Sequence, residues 1–285
     1  MHANLYALGA IALWASLASL GLLLQQVPPF LLTGLALVIG SVPAWPLVRQ
    51  WRVPASTLAL GVYGLFGFHF LLFIALRHAP AVEANLVNYL WPLFIVVLAP
   101  VLLPGMRLQA GHVMGALLGF VGAAVAILGA ANAGGLHGWS WGYLPAFGSA
   151  VIWATYSLGT QRIALFPTAA IGLFGLVSGV LSLLCHAVLE PSAVLAPRDW
   201  LLIAVMGLGP LGAAFFLWDR ALKLGDARQI GVLSYVTPLA STGLLILVTG
   251  REWSWSIGLA AALIVGGAVL GTRTARSVSP TAASA

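Results

Sequence analysis

An all-α integral membrane fold of ten spans, built as two inverted five-helix repeats with both termini cytoplasmic, follows from three observations: the apolar composition, the number of span-length apolar runs, and an internal repeat. Of the 285 residues, 61% are hydrophobic and only 6% charged, and the mean hydropathy is +1.04. Soluble domains carry about 25% charged residues. A helix needs roughly 20 apolar residues to cross about 30 Å of hydrocarbon, so the chain accommodates about ten spans and no sizeable soluble domain. The twelve Lys and Arg residues form no basic patch and fall between apolar runs, which excludes nucleic acid as the partner and points to the lipid bilayer. Cys185 is the single cysteine, so an intrachain disulfide is impossible; a structural thiol is expected, with no redox chemistry, metal or cofactor. The first apolar run lacks a basic leader and is long enough to span, which predicts a retained first helix.

Reading the runs between Gly, Pro and charged punctuation places spans near 3–24, 30–48, 58–78, 82–103, 110–131, 141–161, 168–189, 199–222, 227–249 and 254–272. With the N-terminus inside, nine basic residues (Arg49, Arg52, Arg107, Arg162, Arg220, Lys223, Arg228, Arg273 and Arg276) fall on the inner side. Three, Arg77, Arg198 and Arg251, fall outside. That imbalance predicts both termini in the cytoplasm. Glu83, Glu190, Asp199 and Glu252 stand near the outer arginines and are expected as surface ion pairs. Trp139, Trp141, Trp200, Trp253 and Trp255 stand at span ends, as interfacial anchors do. The Ser, Ala and Pro tail, 277–285, is expected to be disordered.

Sliding the chain against itself exposes the repeat. Ala75-Leu76-Arg77 through Asn88-Tyr89 to Pro92-Leu93 matches Ala221-Leu222-Lys223 through Ser234-Tyr235 to Pro238-Leu239 at one offset of 146 residues. At that offset Gly61 pairs with Gly207, Leu65 with Leu211 and Phe70 with Phe216; an offset of 139 pairs Gly9, Trp14, Ala15 and Ser16 with Gly148, Trp153, Ala154 and Thr155. Spans 1, 3 and 4 therefore recur as 6, 8 and 9. A repeat with an odd number of spans enters the membrane from opposite sides in its two copies, which relates 1–135 to 136–276 by a pseudo-two-fold axis in the membrane plane. Through its paired Tyr89-x-x-Pro92 and Tyr235-x-x-Pro238 signatures the sequence resembles the ten-helix EamA branch of the drug/metabolite transporter superfamily. Its mid-span Trp, Tyr, Phe and His residues make it most similar to the aromatic amino-acid exporters of the YddG type. The resemblance implies a multi-pass carrier of the bacterial inner membrane with a central cavity lined by spans 1, 3, 4, 6, 8 and 9.

The candidate solute-binding residues lie on those spans. Asn85, Asn88, Tyr89 and Pro92 stand at i, i+3, i+4 and i+7, so three polar groups and a proline share one face that should not touch lipid. Pro92 cannot donate to the Asn88 carbonyl, nor Pro238 to that of Ser234. The two prolines are candidate hinges, and the freed carbonyls are either acceptors for a substrate ammonium or satisfied by a neighbouring hydroxyl or water. Ser149, Trp153, Tyr156 and Thr160 form a similar face on span 6, and Phe66, His69, Phe70 and Phe73 on span 3. Of these rings, Phe66, Phe73, Trp153, Tyr156 and, through the repeat, Trp14 and Tyr235 with Ser234 are candidates to hold a flat solute; packing is the competing role. His69 either donates to a carboxylate and carries a coupled proton or sits neutral beside a hydroxyl. Asp219 either snorkels in an ion pair with Lys223 or couples protons. Gly111, Gly115, Gly119, Gly258, Gly266 and Gly267 offer small surfaces for close helix contact.

These features predict a transporter of small neutral or zwitterionic solutes, aromatic or other bulky amino acids foremost, working as an exporter or uniporter by alternating access. Phosphorylated solutes would require Lys or Arg at a span centre, and none is there. Proton-coupled efflux of amphipathic compounds and a channel-like facilitator stay open, as do monomer and homo-oligomer. The chain carries no His-Glu-x-x-His, no Gly-x-Ser-x-Gly and no Cys/His cluster, so an enzyme is not expected.

Overall fold

The computed structural model describes residues 2–130, 139–249 and 255–276, and the regular elements among them are all helical. In chain order they are α1 (His2–Leu23), α2 (Pro29–Trp51), α3 (Ala55–His78), α4 (Ala81–Leu102), α5 (Ala110–Ala130), α6 (Tyr143–Arg162), α7 (Ala170–Leu189) and α8 (Pro197–Leu224). Two further stretches are α9, divided into Ala227–Leu233 and Val236–Thr249, and α10 (Trp255–Arg276). Seven of these, α1 to α5 with α7 and α8, are long and apolar enough to cross a membrane. The sequence explains why α6 is less apolar at a similar length: Tyr143, Ser149, Thr155, Tyr156, Ser157, Thr160, Gln161 and Arg162 all lie on it. The predicted tail and Arg251, Glu252 and Trp253 lie outside the described residues.

Proline sets the starts and breaks. Pro29 and Pro197 occupy first turns, where their missing N–H costs nothing. Inside helices the ring clashes with the carbonyl four residues back. Accordingly α4 breaks into a turn at Tyr89–Leu90, ahead of Pro92, and α9 breaks at Ser234–Tyr235, ahead of Pro238. Two other interruptions have a different form. A π turn, with its i to i+5 hydrogen bonding, occupies Tyr63–Gly67 in α3 and another occupies Gly209–Ala213 in α8.

Small residues bring the helices together. A Cβ at Gly115 of α5 would stand 2.7 Å from the Gly267 carbonyl oxygen of α10, and one at Gly267 would stand 2.5 Å from that of Gly115. Gly34 of α2 and Gly179 of α7 make an equivalent crossing, since each would place a Cβ about 3 Å from the other's carbonyl (3.0 and 2.9 Å). Gly258 and Gly266, in contrast, face open space, so only part of the glycine pattern read from α10 serves this contact. The main apolar core joins residues of α1 to α4 and α6 to α9, while Val96, Ala116, Ala123, Val232, Tyr235 and Ile264 form a separate core between α4, α5, α9 and α10.

Polar knots tie the two ends of the bundle. At one end, Glu190 accepts from the backbone N–H of Phe30 (3.0 Å) and Leu31 (3.2 Å) at the start of α2, from Arg77 (2.9 Å), and contacts His186 at 3.0 Å. Its side chain is 0% exposed. Asp199 is also buried, accepting from Gln26 and from the Ala196 backbone, both at 2.9 Å. Glu190 thus keeps the expected ion pair with Arg77, but neither acid stands on the surface: each carboxylate is drawn inward because helix N-termini offer unpaired N–H groups there.

At the opposite end Arg228 grips Asp226 (2.5 Å from Nη2 to Oδ2) and donates to the Arg107 carbonyl at 2.5 Å. Gln161 donates to the carbonyls of Leu222 and Gly225 beside it. Asp226 lies between α8 and α9, outside the spans. Burial by itself would raise its carboxyl, but the Arg228 guanidinium overrides burial and holds it below the ordinary value of 3.8. A carboxyl held low stabilises the fold fully above the unfolded value, and that contribution disappears as the pH falls through the folded one. The melting-temperature difference between the natural protein and Asp226→Asn in detergent should therefore be constant above about pH 4 and shrink below it. A pH-independent difference would remove this ion pair from the stability of the fold.

Candidate functional site

Of the eleven tryptophans, Trp14, Trp91, Trp153 and Trp218 stand one each on α1, α4, α6 and α8. The structure brings those four together. Trp14 of α1 meets Trp153 of α6 edge-on (5.7 Å between centroids) and Trp218 of α8 at 5.2 Å; Trp91 of α4 meets Trp153 at 6.3 Å and Trp218 at 5.7 Å. Trp153 and Trp218 stack at 6.2 Å with 30° between planes. Tyr156, Phe68 and Phe215 extend the cluster from Trp153, at 5.4, 5.3 and 5.7 Å. All four indoles are buried. Each well-placed pair contributes about 0.5–1.5 kcal/mol beyond its area burial.

A few polar groups fix the rings. Trp14 Nε1 donates to the Pro210 carbonyl (3.1 Å), inside the π turn of α8. Trp218 Nε1 donates to Ser157 Oγ (3.1 Å). The other π turn supplies room: a Cβ at Gly64 would stand 2.3 Å from Cγ of Tyr156, so only glycine lets that phenol ring lie against α3. Asn88 donates to Ser149 Oγ at 2.7 Å, and Ser149 Oγ donates in turn to the Ala146 carbonyl. This chain satisfies a buried amide between α4 and α6.

The candidates read from the sequence fall into distinct places. Trp14, Trp153 and Tyr156 are in the ring cluster. Asn88 is buried at its edge, while Asn85, one turn earlier, is exposed and so parts from the shared face expected of it. Tyr89 is half-buried at the break of α4. His69 is buried, with Nδ1 bonded to the Leu65 carbonyl at 2.6 Å; its partner is backbone, not a hydroxyl, and Nδ1 is therefore the protonated nitrogen. From His69 a line of rings runs through Phe73 (6.1 Å) to Phe30 (5.4 Å) and on to the Arg77 guanidinium over Phe30. Phe66 joins that line through Phe70 (5.6 Å).

Ser234 and Tyr235 lie elsewhere. Ser234 Oγ donates back to the Ile230 carbonyl, and the Tyr235 ring fills the socket left by Gly119, where a Cβ would be 2.4 Å from its Cδ2. Pro92 and Pro238 are buried just beyond the two helix breaks. Asp219 pairs with Lys223 at 2.6 Å, with its carboxylate buried. Trp91, Trp218, Phe68 and Phe215 were not among the candidates; the signal for Trp91 was its distance from both ends of its span, whereas Trp218 stands four residues from the expected end of its own.

Helices long and apolar enough to cross a membrane, packed around buried rings with a few polar tips, make this a multi-pass membrane protein. The chain belongs to the EamA-like transporter family, which it matches over residues 1–128 and again over 140–273. It is 44% identical over 284 residues to the aromatic amino acid exporter YddG of Ancylobacter novellus, covering 96% of this chain and 98% of that one. It is 28% identical to the Escherichia coli protein of the same name, covering 94% and 96%. A solved crystal structure superposes with a TM-score of 0.90 at 43% identity, over 98% of this chain and 99% of the other. The protein is a multi-pass transporter of the bacterial inner membrane and not an enzyme.

Proposed function

We propose that this protein exports aromatic amino acids, or moves them as a uniporter, by alternating access between two inverted halves of five spans each, 1–135 and 136–276, with both termini at the cytoplasmic end marked by Arg228. The observation that carries the reading is the convergence of Trp14, Trp91, Trp153 and Trp218 from four helices. Their faces suit a flat ring, and Tyr156 in the cluster, His69 against Phe68 and Phe215, and Asn88 bonded to Ser149 offer polar tips to a zwitterion. The repeat is supported by a structural coincidence: the π turns at Tyr63–Gly67 and Gly209–Ala213 stand at the same 146-residue offset as the sequence match. The two successive family matches agree with a repeat, and the names of the relatives with an aromatic solute. Pro92 and Pro238 act as hinges in this scheme, because each helix is already broken beside them.

Counterflow into liposomes tests the proposal. Vesicles preloaded with unlabelled phenylalanine should take up labelled tryptophan, tyrosine and phenylalanine saturably, and alanine at least about tenfold more slowly, as expected when burial of a large ring drives binding. Equal rates for alanine and phenylalanine would refute aromatic selectivity. Flux without saturation would make the protein a channel, and flux that requires a pH gradient would put proton coupling in place of uniport.

A further inference from the structure

Asp219 is 2% exposed, yet only half of its carboxylate is used. Oδ2 accepts from Thr168 Oγ1 and from Lys223 Nζ, both at 2.6 Å. Oδ1 is buried and has no hydrogen-bond partner among the described residues. The cation of the pair is in the opposite condition. Lys223 Nζ also donates to the Phe166 carbonyl (2.7 Å), reaches Thr168 Oγ1 at 3.4 Å and lies 3.9 Å above the Phe166 ring. An ammonium has three donors to give, so Lys223 is fully engaged while Asp219 keeps acceptor capacity in reserve.

A buried carboxylate oxygen without a donor is costly, and structural ion pairs normally satisfy both oxygens. Asp219 also stands one turn after Phe215 on the same face of α8, and the Phe215 ring meets those of Trp14 and Trp153. Asp219 directly follows Trp218, whose indole belongs to the tryptophan cluster. In the repeat its counterpart at the 146-residue offset is Phe73, so the acceptor belongs to one half alone.

Resting on the aromatic-solute reading, we propose that Oδ1 of Asp219 receives the ammonium group of the transported solute, while Lys223 and Thr168 hold the carboxylate in place as positioning residues. The ring then lies among the tryptophans and the ammonium points toward the Arg228 end, which gives a zwitterion a single orientation in a site whose aromatic walls have none. Solutes with the same ring but no ammonium lose this contact.

Binding of three ligands to the purified full chain decides the matter: phenylalanine, phenethylamine, which keeps the ammonium without the carboxylate, and 3-phenylpropionate, which keeps the carboxylate without the ammonium. The natural protein should bind 3-phenylpropionate about tenfold or more weakly than phenylalanine, the size of effect expected for one charge-assisted hydrogen bond. Asp219→Asn should weaken phenylalanine and phenethylamine by a similar factor and leave 3-phenylpropionate within twofold. Asp219→Glu, which keeps the charge but displaces the oxygen, should weaken the two ammonium ligands in the same direction. Equal binding of all three ligands by the natural protein overturns the assignment while keeping the aromatic reading. Preference for ammonium ligands that survives in Asp219→Asn overturns it as well. Binding of none of the three removes the aromatic reading itself, and the ammonium assignment with it.

Discussion

Gly40→Val should abolish recovery of monodisperse protein, or lower its melting temperature sharply. A Cβ at Gly40 of α2 would stand 2.6 Å from the Gly207 carbonyl oxygen, 2.8 Å from that of Leu211 and 2.9 Å from the Gly212 Cα, all in α8. Every obstructing atom is backbone, so no rotamer change relieves the clash and the two helices must separate. Overpacked cores typically lose about 1–3 kcal/mol when side chains can yield, and this site belongs at or above the upper end. Gly258→Ala makes the opposite control. Nothing lies within 4 Å of the added methyl, so the helix should gain up to about 1 kcal/mol of propensity. Size-exclusion recovery and thermal unfolding in detergent measure both, and a Gly40→Val protein that melts like the natural one would mean that α2 and α8 do not cross here.

Trp153→Ala should lower the initial rate of aromatic amino-acid counterflow by about tenfold or more, and destabilise the fold as well. The Trp153 ring touches six others, those of Trp14, Phe68, Trp91, Tyr156, Phe215 and Trp218. Truncating such a residue costs about 3–5 kcal/mol. Tyr89 is half-buried, so its truncation should cost less stability than that of Trp153. Trp153→Phe separates the two effects, because it retains an aromatic wall and most of the packed volume. If Trp153→Phe is stable and transports normally, and Trp153→Ala loses flux only in proportion to its lost stability, the tryptophans are scaffold.

Much of the architecture was legible because its causes are local. Pro92 and Pro238 break their helices through a clash with the carbonyl four residues back, which any reading of the sequence anticipates. Span ends and mid-span tryptophans are likewise visible as positions along a run. The rest depends on residues far away in sequence. Glu190 looks like a surface acid after α7, and its burial is decided by the bare N–H groups of Phe30 and Leu31, 160 and 159 positions earlier. Tyr89 and Tyr235 are equivalent in the repeat but not in space, because Gly119 provides a socket for the second ring.

The two π turns have a consequence for reading any helical wheel through α3 and α8. Each extra residue per turn advances the following side chains by about 100° relative to an uninterrupted α-helix. Phase is therefore lost across Tyr63–Gly67 and across Gly209–Ala213, and a stripe traced on one side of either turn continues on another azimuth beyond it. One rod in this bundle can thus present a different sector to its neighbours above and below its midpoint, with no bend in its axis required.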